Sequence, residues 1–375
     1  MATDETIISY KGFDKDLECR GFQYEIGKEY ELPNGETVSV CSHGFHACES
    51  PLEVLDYYFL DDNANLSRFC EVEQSGEFSK EKFYNSTKIA SSKIKIKREI
   101  TFADLIKLGL EWIKEKTSQE KVDANPKTSL NDEMGDFAQI CSSDNDVQIY
   151  SSDNGVQIVS SGKYAQIGSS GDCARIGSSG FNVQIVSSGS FAKIVTSSNY
   201  AKIGSSGSSA KIASSGDFVR IVSSGDNAKI ASSGDNLQIG SSGYNAKISS
   251  SGDIAHITSS GNNAKISSSG DNAKISSSGE IARIGSSGDS AMIASLGHYV
   301  QIDSTGENSV IMCAGNNSRA KAKKGSWITL VEWYKDNSCG KMRPKCVKTE
   351  YVDGEHIKAD TWYKLFEGEF VEANK

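Results

Sequence analysis

The sequence predicts a mainly β protein: a β-solenoid of twenty nonapeptide repeats, preceded by an α+β domain and followed by a small β cap. Three observations predict it. Isoleucine recurs every nine residues without a slip, from Ile140, Ile149 and Ile158 onward to Ile302 and Ile311. Two residues before each Ile stands Ala, Val or Leu in nineteen of twenty copies, Ser309 being the exception. Between successive apolar pairs lies a Ser-Ser-Gly-Asp-Asn segment, as at residues 232–236.

Each element follows from its residues. Ala-Lys-Ile alternates with period two, so Ala and Ile face one side of a strand and Lys the other. Ser-Ser-Gly-Asp-Asn is a turn, in which Gly is expected to supply the positive φ and Asp or Asn to bond nearby amides. No proline falls between Pro126 and Pro344, as strands paired on both edges require. A helical reading fails, because one Gly and two Ser per nine residues cost too much helix propensity. One nonapeptide cannot bury its Ile alone, so units must stack.

Two units per coil give an 18-residue, two-sided rod of about ten coils, about 48 Å long at ~4.8 Å per rung. The charges favour this coil. Alternate copies align Arg175, Lys193, Lys211, Lys229, Lys247, Lys265 and Arg283 into a basic column before Ile. The interleaved copies align Asp217, Asp235, Asp253, Asp271, Asp289 and Glu307 at the turn. A 27-residue coil scrambles both columns, although Phe137, Tyr164, Phe191 and Phe218 are spaced by 27. The turn lacks the Gly-x-Asp spacing of calcium-binding β-rolls, and mid-strand Lys and Arg spoil a flat ice-binding face.

Residues 1–125 read as an α+β domain. Tyr10 to Phe13, Phe22 to Tyr30 and Phe69 to Gln74 look like strands. Ser50-Pro51-Leu52-Glu53 reads as a capping box opening a helix through Tyr58. Thr101-Phe102-Ala103-Asp104 opens a second helix to about Lys116, with Leu105, Ile106, Leu108 and Trp112 as its apolar stripe, expected to close the first coil. Residues 126–134 are linker, and the solenoid fills 135–319. Residues 320–375 hold Trp327, Trp333 and Trp362 and three strand-like runs, with Asp353-Gly354 and Glu367-Gly368 read as hairpin turns.

Composition narrows the classes. The net charge of −9 comes mainly from residues 1–130, with 24 acids and 17 bases; residues 135–319 hold 14 and 12. The rod is therefore no acidic mimic of nucleic acid. No apolar run approaches a membrane span and no signal peptide opens the chain. Nine cysteines without regular spacing suit reduced thiols, and the expected compartment is the cytoplasm.

Cys41-Ser-His43-Gly-Phe-His46-Ala-Cys48 is the densest set of ligand-type residues, with Cys19 and Cys70 as additions, but its spacing departs from zinc sites. No cofactor or metal is expected. Evenly spaced lysines would follow phosphates, yet no aromatics interleave with them.

The whole chain resembles an uncharacterised family of bacteriophages and prophages. The resemblance rests on the segment from Tyr10-Lys-Gly-Phe to Cys-Arg-Gly-Phe22, on Gly-Phe-His-Ala-Cys-Glu at 44–49, and on Glu-Val-Glu-Gln-Ser-Gly at 71–76. It extends to Ala-Ser-Ser-Lys-Ile at 90–94 and Ile-Lys-x-Asp-Thr-Trp-Tyr-x-Leu at 357–365. It implies phage origin and, since the family has no established activity, no mechanism. The first domain is also similar, more faintly, to ADP-ribosyltransferase-like domains, through Tyr10-Lys11-Gly12, Gly44-Phe-His46-Ala, Tyr57-Tyr58 and the strand with Glu71 and Glu73. That resemblance implies an NAD pocket from Tyr10, Lys11, Gly12, His43, His46, Glu71 and Glu73, with Lys11 where the family places His or Arg.

Two functions are carried forward. The first is a non-enzymatic binding or scaffold protein whose rod presents its basic column (175–283) and acidic column (217–289) to a macromolecular partner. That partner is a protein sooner than nucleic acid, and a host defence component is one form of it. The second is a transferase-like or NAD-binding first domain, with the rod as spacer or oligomerisation surface.

Overall fold

The computed structural model describes residues 6–33, 36–40, 42–60, 64–80, 86–117 and 136–373. The chain forms two compact units, Met1–Asp123 and Ala124–Lys375. None of the described helices is long and apolar enough to cross a membrane.

Strands dominate the first unit: β1 (Ile7–Phe13), β2 (Glu18–Cys19), β3 (Phe22–Gln23), β4 (Glu29–Glu31), β5 (Phe45–Cys48), β6 (Arg68–Lys80) and β7 (Lys88–Ile100). The main sheet runs β4-β7-β5-β1-β6, and β6 pairs back onto β7, closing the sheet on itself. Inside lie Phe13, Leu17, Tyr24, Phe45, Ala47, Cys70, Val72, Ile94 and Ile96. The strand expected from Phe22 to Tyr30 is broken into β3 and β4. Gly27 interrupts it at φ +86, with its amide bound to the Ile96 carbonyl.

The helix at Pro51 is a 3-10 turn followed by α1 (Val54–Tyr57), and its capping box does not form. Ser50 makes no side-chain cap, and the Glu53 carboxylate does not reach back to the Ser50 amide, which donates to Thr87 Oγ1 at 2.8 Å. It accepts instead from Ser86 Oγ at 2.8 Å and from Thr87 N and Oγ1 at 2.6 Å. The second helix, α2 (Phe102–Thr117), is capped as expected, the Asp104 amide donating to Thr101 Oγ1 at 3.1 Å. The start of its apolar face packs within its own unit. Phe102 stacks on Phe69 with centroids 6.1 Å apart, and Leu52 fills the space where Gly109 lacks a side chain.

The second unit is a β-solenoid of about 11 turns of ~18 residues. Twenty four-residue strands, β8 (Gln139–Ser142) to β27 (Val310–Cys313), form two parallel sheets in which each residue pairs with the one 18 positions on. The Ile ladder is buried throughout. Phe137, Tyr164, Phe191 and Phe218 do not define a coil: steps of 27 are one and a half coils, so they alternate between the two edges.

Positive φ is not supplied by the repeat's glycine. The residue three before each Ile takes it: Asn227, Asn236, Asn245 and Asn272 lie at φ +56 to +57. Asn tolerates this region because its short amide bonds locally. The turn glycine serves close approach instead. A Cβ on Gly252 would lie 1.8 Å from the carbonyl oxygen of Gly234 one coil below. Asp144, Asp153 and Ser198 take that place within the rod.

Inward-facing Ser two residues after Ile forms a second ladder. Ser214, Ser232, Ser250 and Ser268 are buried, and their hydroxyls find no hydrogen-bond partner. Replacing all four with Ala is expected to leave stability unchanged or raise it by up to about 1 kcal/mol per site, because an unsatisfied buried hydroxyl costs more than it returns. Thermal and denaturant melts check this. A fall of several degrees would mean that the hydroxyls are paired.

The coil continues past the expected boundary at 319. In β28 (Arg319–Lys321) Ala320 lies over Ile302, and in β29 (Trp327–Lys335) Ile328 lies over Ile311. Pairing then turns antiparallel: β30 (Met342–Tyr351) on β29, β31 (Tyr363–Phe366) on β28, and β32 (Glu369–Glu372) on β31. Glu367 and Gly368, both at positive φ, make the β31–β32 hairpin turn. Asp353-Gly354 makes no hairpin. It links β30 to β31, which lie in different sheets, and the Asp353 carboxylate accepts from the amides of Glu355, His356 and Ile357.

Candidate functional site

The first unit holds a pocket of about 420 Å³. It opens where β1 and β5, which meet at the single pair Tyr10–Cys48, both contribute walls. Of the residues expected there, Tyr10, Lys11, Gly12, His43 and His46 line it. Glu71 and Glu73 do not: they leave β6 beside bases of β7, Glu71 bonded to Arg98 at 2.7 Å and Glu73 to Lys97 at 3.2 Å.

Lys11 is the unusual member. Period-two alternation puts it on the same side of β1 as Ser9 and Phe13, both fully buried, and leaves it 5% exposed. Its Nζ donates to the His46 carbonyl at 2.8 Å and lies 5.5 Å from the Tyr24 ring and 5.6 Å from the Phe13 ring. Burial, the largest influence, pulls its pKa below the usual lysine value. The same desolvation, followed by the charges of Lys11 and Lys88, lowers His46 and favours its neutral imidazole. Burial also raises the Tyr24 and Tyr58 hydroxyls and the Cys48 thiol, so these groups stay protonated. Cys19 Sγ sits 2.8 Å from Tyr58 Oη. Gly12 lets Tyr58 approach: a Cβ at 12 would lie 2.3 Å from Tyr58 Cβ.

Sequence reasoning missed Arg20, Tyr24, Tyr58 and Lys88, which share these walls. The signal for Lys11 was present, since a lysine two residues before a core Phe shares its face. His43 is held by Glu36 at 2.6 Å. Cys41 lies outside the described residues, and among those described no group of three or more His, Cys, Asp or Glu could hold a metal ion. The eight described cysteines are free thiols.

On the rod, the basic column forms as read. Arg175, Lys193, Lys211, Lys229, Lys247, Lys265 and Arg283 pair in consecutive register on one sheet. All but Arg283 are half-buried, and Lys193, Lys211, Lys229 and Lys247 already take part in interactions of their own. On the opposite sheet Lys202, Arg220, His256 and Lys274 are exposed.

The acidic column has a structural duty. Asp217 Oδ1 accepts the amide of Asp235 at 3.0 Å, and Asp235, Asp253 and Asp271 repeat the bond at 2.8 Å up to Asp289. Asp289 then accepts from Glu307 at 2.7 Å. Each carboxylate staples one coil to the next, so like charges ~4.8 Å apart are tolerated because each receives an N–H.

One surface feature was not read from the sequence. On the edge that carries the acidic column, Tyr164, Phe181, Tyr200 and Phe218 form a row of rings with centroids 6.2, 5.3 and 4.9 Å apart, the last pair stacked at 5°. All four are 41–47% exposed, and Val186 and Val222 on the adjoining sheet are 60% exposed. Stepping through the repeat by 18 instead of 27 would have found Tyr164, Tyr200 and Phe218; Phe181 stands one position earlier in its own repeat and bridges the gap.

Residues 7–108 match the model of a domain of unknown function (DUF7666). No curated protein and no solved structure matches the chain.

Proposed function

We propose that the chain is a non-enzymatic binding protein whose solenoid grips a protein partner along the aromatic edge. The observation that carries this reading is the continuous row of exposed, mutually contacting rings from Tyr164 to Phe218, beside exposed Val186 and Val222. Aromatics left in water on rigid strands bury large areas at little entropic cost when a partner arrives. Lys202 and Arg220 flank the row and supply polar rim contacts. The half-buried basic column is a weaker contact surface, because four of its lysines are already engaged. The resemblance to phage sequences makes a host defence protein the first partner to test.

The test returns the row to the repeat's own consensus, Tyr164→Asn, Phe181→Asp, Tyr200→Asn and Phe218→Asn. Because Asn and Asp fill these places elsewhere in the rod, melting should not change. Capture of a protein from nuclease-treated host lysate should be lost. Capture equal to wild type sinks the reading, and capture that vanishes on nuclease treatment of the wild type redirects it to nucleic acid.

An ADP-ribosyltransferase-like or NAD-binding first domain is the second reading. One observation favours it: Tyr10, Lys11, Gly12 and His46 share one pocket. Against catalysis stand Glu71 and Glu73, occupied by Arg98 and Lys97 outside it.

A further inference from the structure

We propose that the pocket of the first unit is an oxyanion site, in which Lys11 and Arg20 hold the phosphate or carboxylate of a small molecule whose flat ring lies against Phe22. This is independent of the rod and does not require NAD. Lys11 is the reason. A buried ammonium normally faces a carboxylate, since its desolvation is otherwise uncompensated. Here its Nζ has one carbonyl, two ring faces and the Cys19 thiol, and among the described residues no Asp or Glu acts on it.

The surroundings add positive charge. Arg20 lines the same pocket from a turn at φ +54 and makes no ion pair among the described residues. Glu31 is the one acid on the described walls, and Lys93 already holds it at 2.9 Å. An arriving oxyanion therefore meets two cations, and the one acid on the described walls is already paired, in surroundings where charge-assisted hydrogen bonds are strong. The flat-ring requirement comes from the aromatic wall: Phe22 lines the pocket, is 43% exposed and packs against Tyr24 and Tyr30 behind it. The volume, about 420 Å³, suits a ligand of this size.

Calorimetric titration of the full chain tests it with phenyl phosphate, benzoate, inorganic phosphate, phenol and NAD. Phenyl phosphate or benzoate should bind at least about tenfold tighter than phenol, and whichever is tighter identifies the oxyanion. Inorganic phosphate should bind more weakly than phenyl phosphate. Arg20→Gln at its exposed turn should weaken the better ligand about tenfold without altering the fold, and Lys11→Met should abolish its binding. If Lys11→Met fails to fold, Arg20→Gln carries the test alone. Phenol binding as tightly as both anions, or Arg20→Gln binding like wild type, overturns the proposal. Tight NAD binding supports it when Arg20→Gln weakens that binding, and overturns it when the variant has no effect.

Discussion

Ile230→Asp is expected to destroy cooperative melting of the rod's centre. Ile230 is fully buried between Ile212 and Ile248 in the two neighbouring coils. Truncating such a residue to Ala costs about 2–5 kcal/mol, and an unpaired buried carboxylate adds several more. Because each coil touches only its neighbours, the damage is local first. Hydrogen exchange should show protection lost in the coils around 212–248 and retained near the ends, with circular dichroism following the loss of β signal. An unchanged melting curve would refute a core built on the Ile ladder.

Gly12→Ala should produce the largest effect in the first unit. Register with Phe69 fixes the backbone there, and the added methyl would lie 2.3 Å from Tyr58 Cβ and 2.8 Å from its Cγ. Neither backbone nor ring can yield that distance cheaply, so a loss of about 1–3 kcal/mol is expected. Faster hydrogen exchange over 7–13 and 68–74 checks it, the solenoid remaining as protected as before. Exchange equal to wild type would show that Tyr58 moves freely, and that the pocket wall is soft.

The solenoid was legible because its signal is repeated twenty times and a single error cannot survive averaging. Coil length followed from charge, since like residues in adjacent rungs reveal which copies are stacked. The role of the turn residues was not legible. Gly and Asn both tolerate positive φ, and only the folded backbone shows that the residue three before Ile takes it while the glycine makes room for the coil below. The first unit has no repeat to average. Its long β7 carries Lys and Arg on the outer face and was read as motif instead of strand. Glu53 was assigned to a helix cap because local spacing says nothing of Thr87, 34 residues away. The pocket was half legible: adjacent residues on β1 were found, while Arg20, Tyr58 and Lys88 arrive from other elements through folding.

The staples between Asp217 and Glu307 all span 18 residues, and so does every strand pairing from β8 to β27. Evolution can therefore lengthen or shorten this rod in quanta of one full coil, leaving every remaining interface as it was. A gain or loss of nine residues is a different event. It would swap the two faces beyond the break, carrying the solvent-facing cations onto the half-buried side and cutting the carboxylate chain.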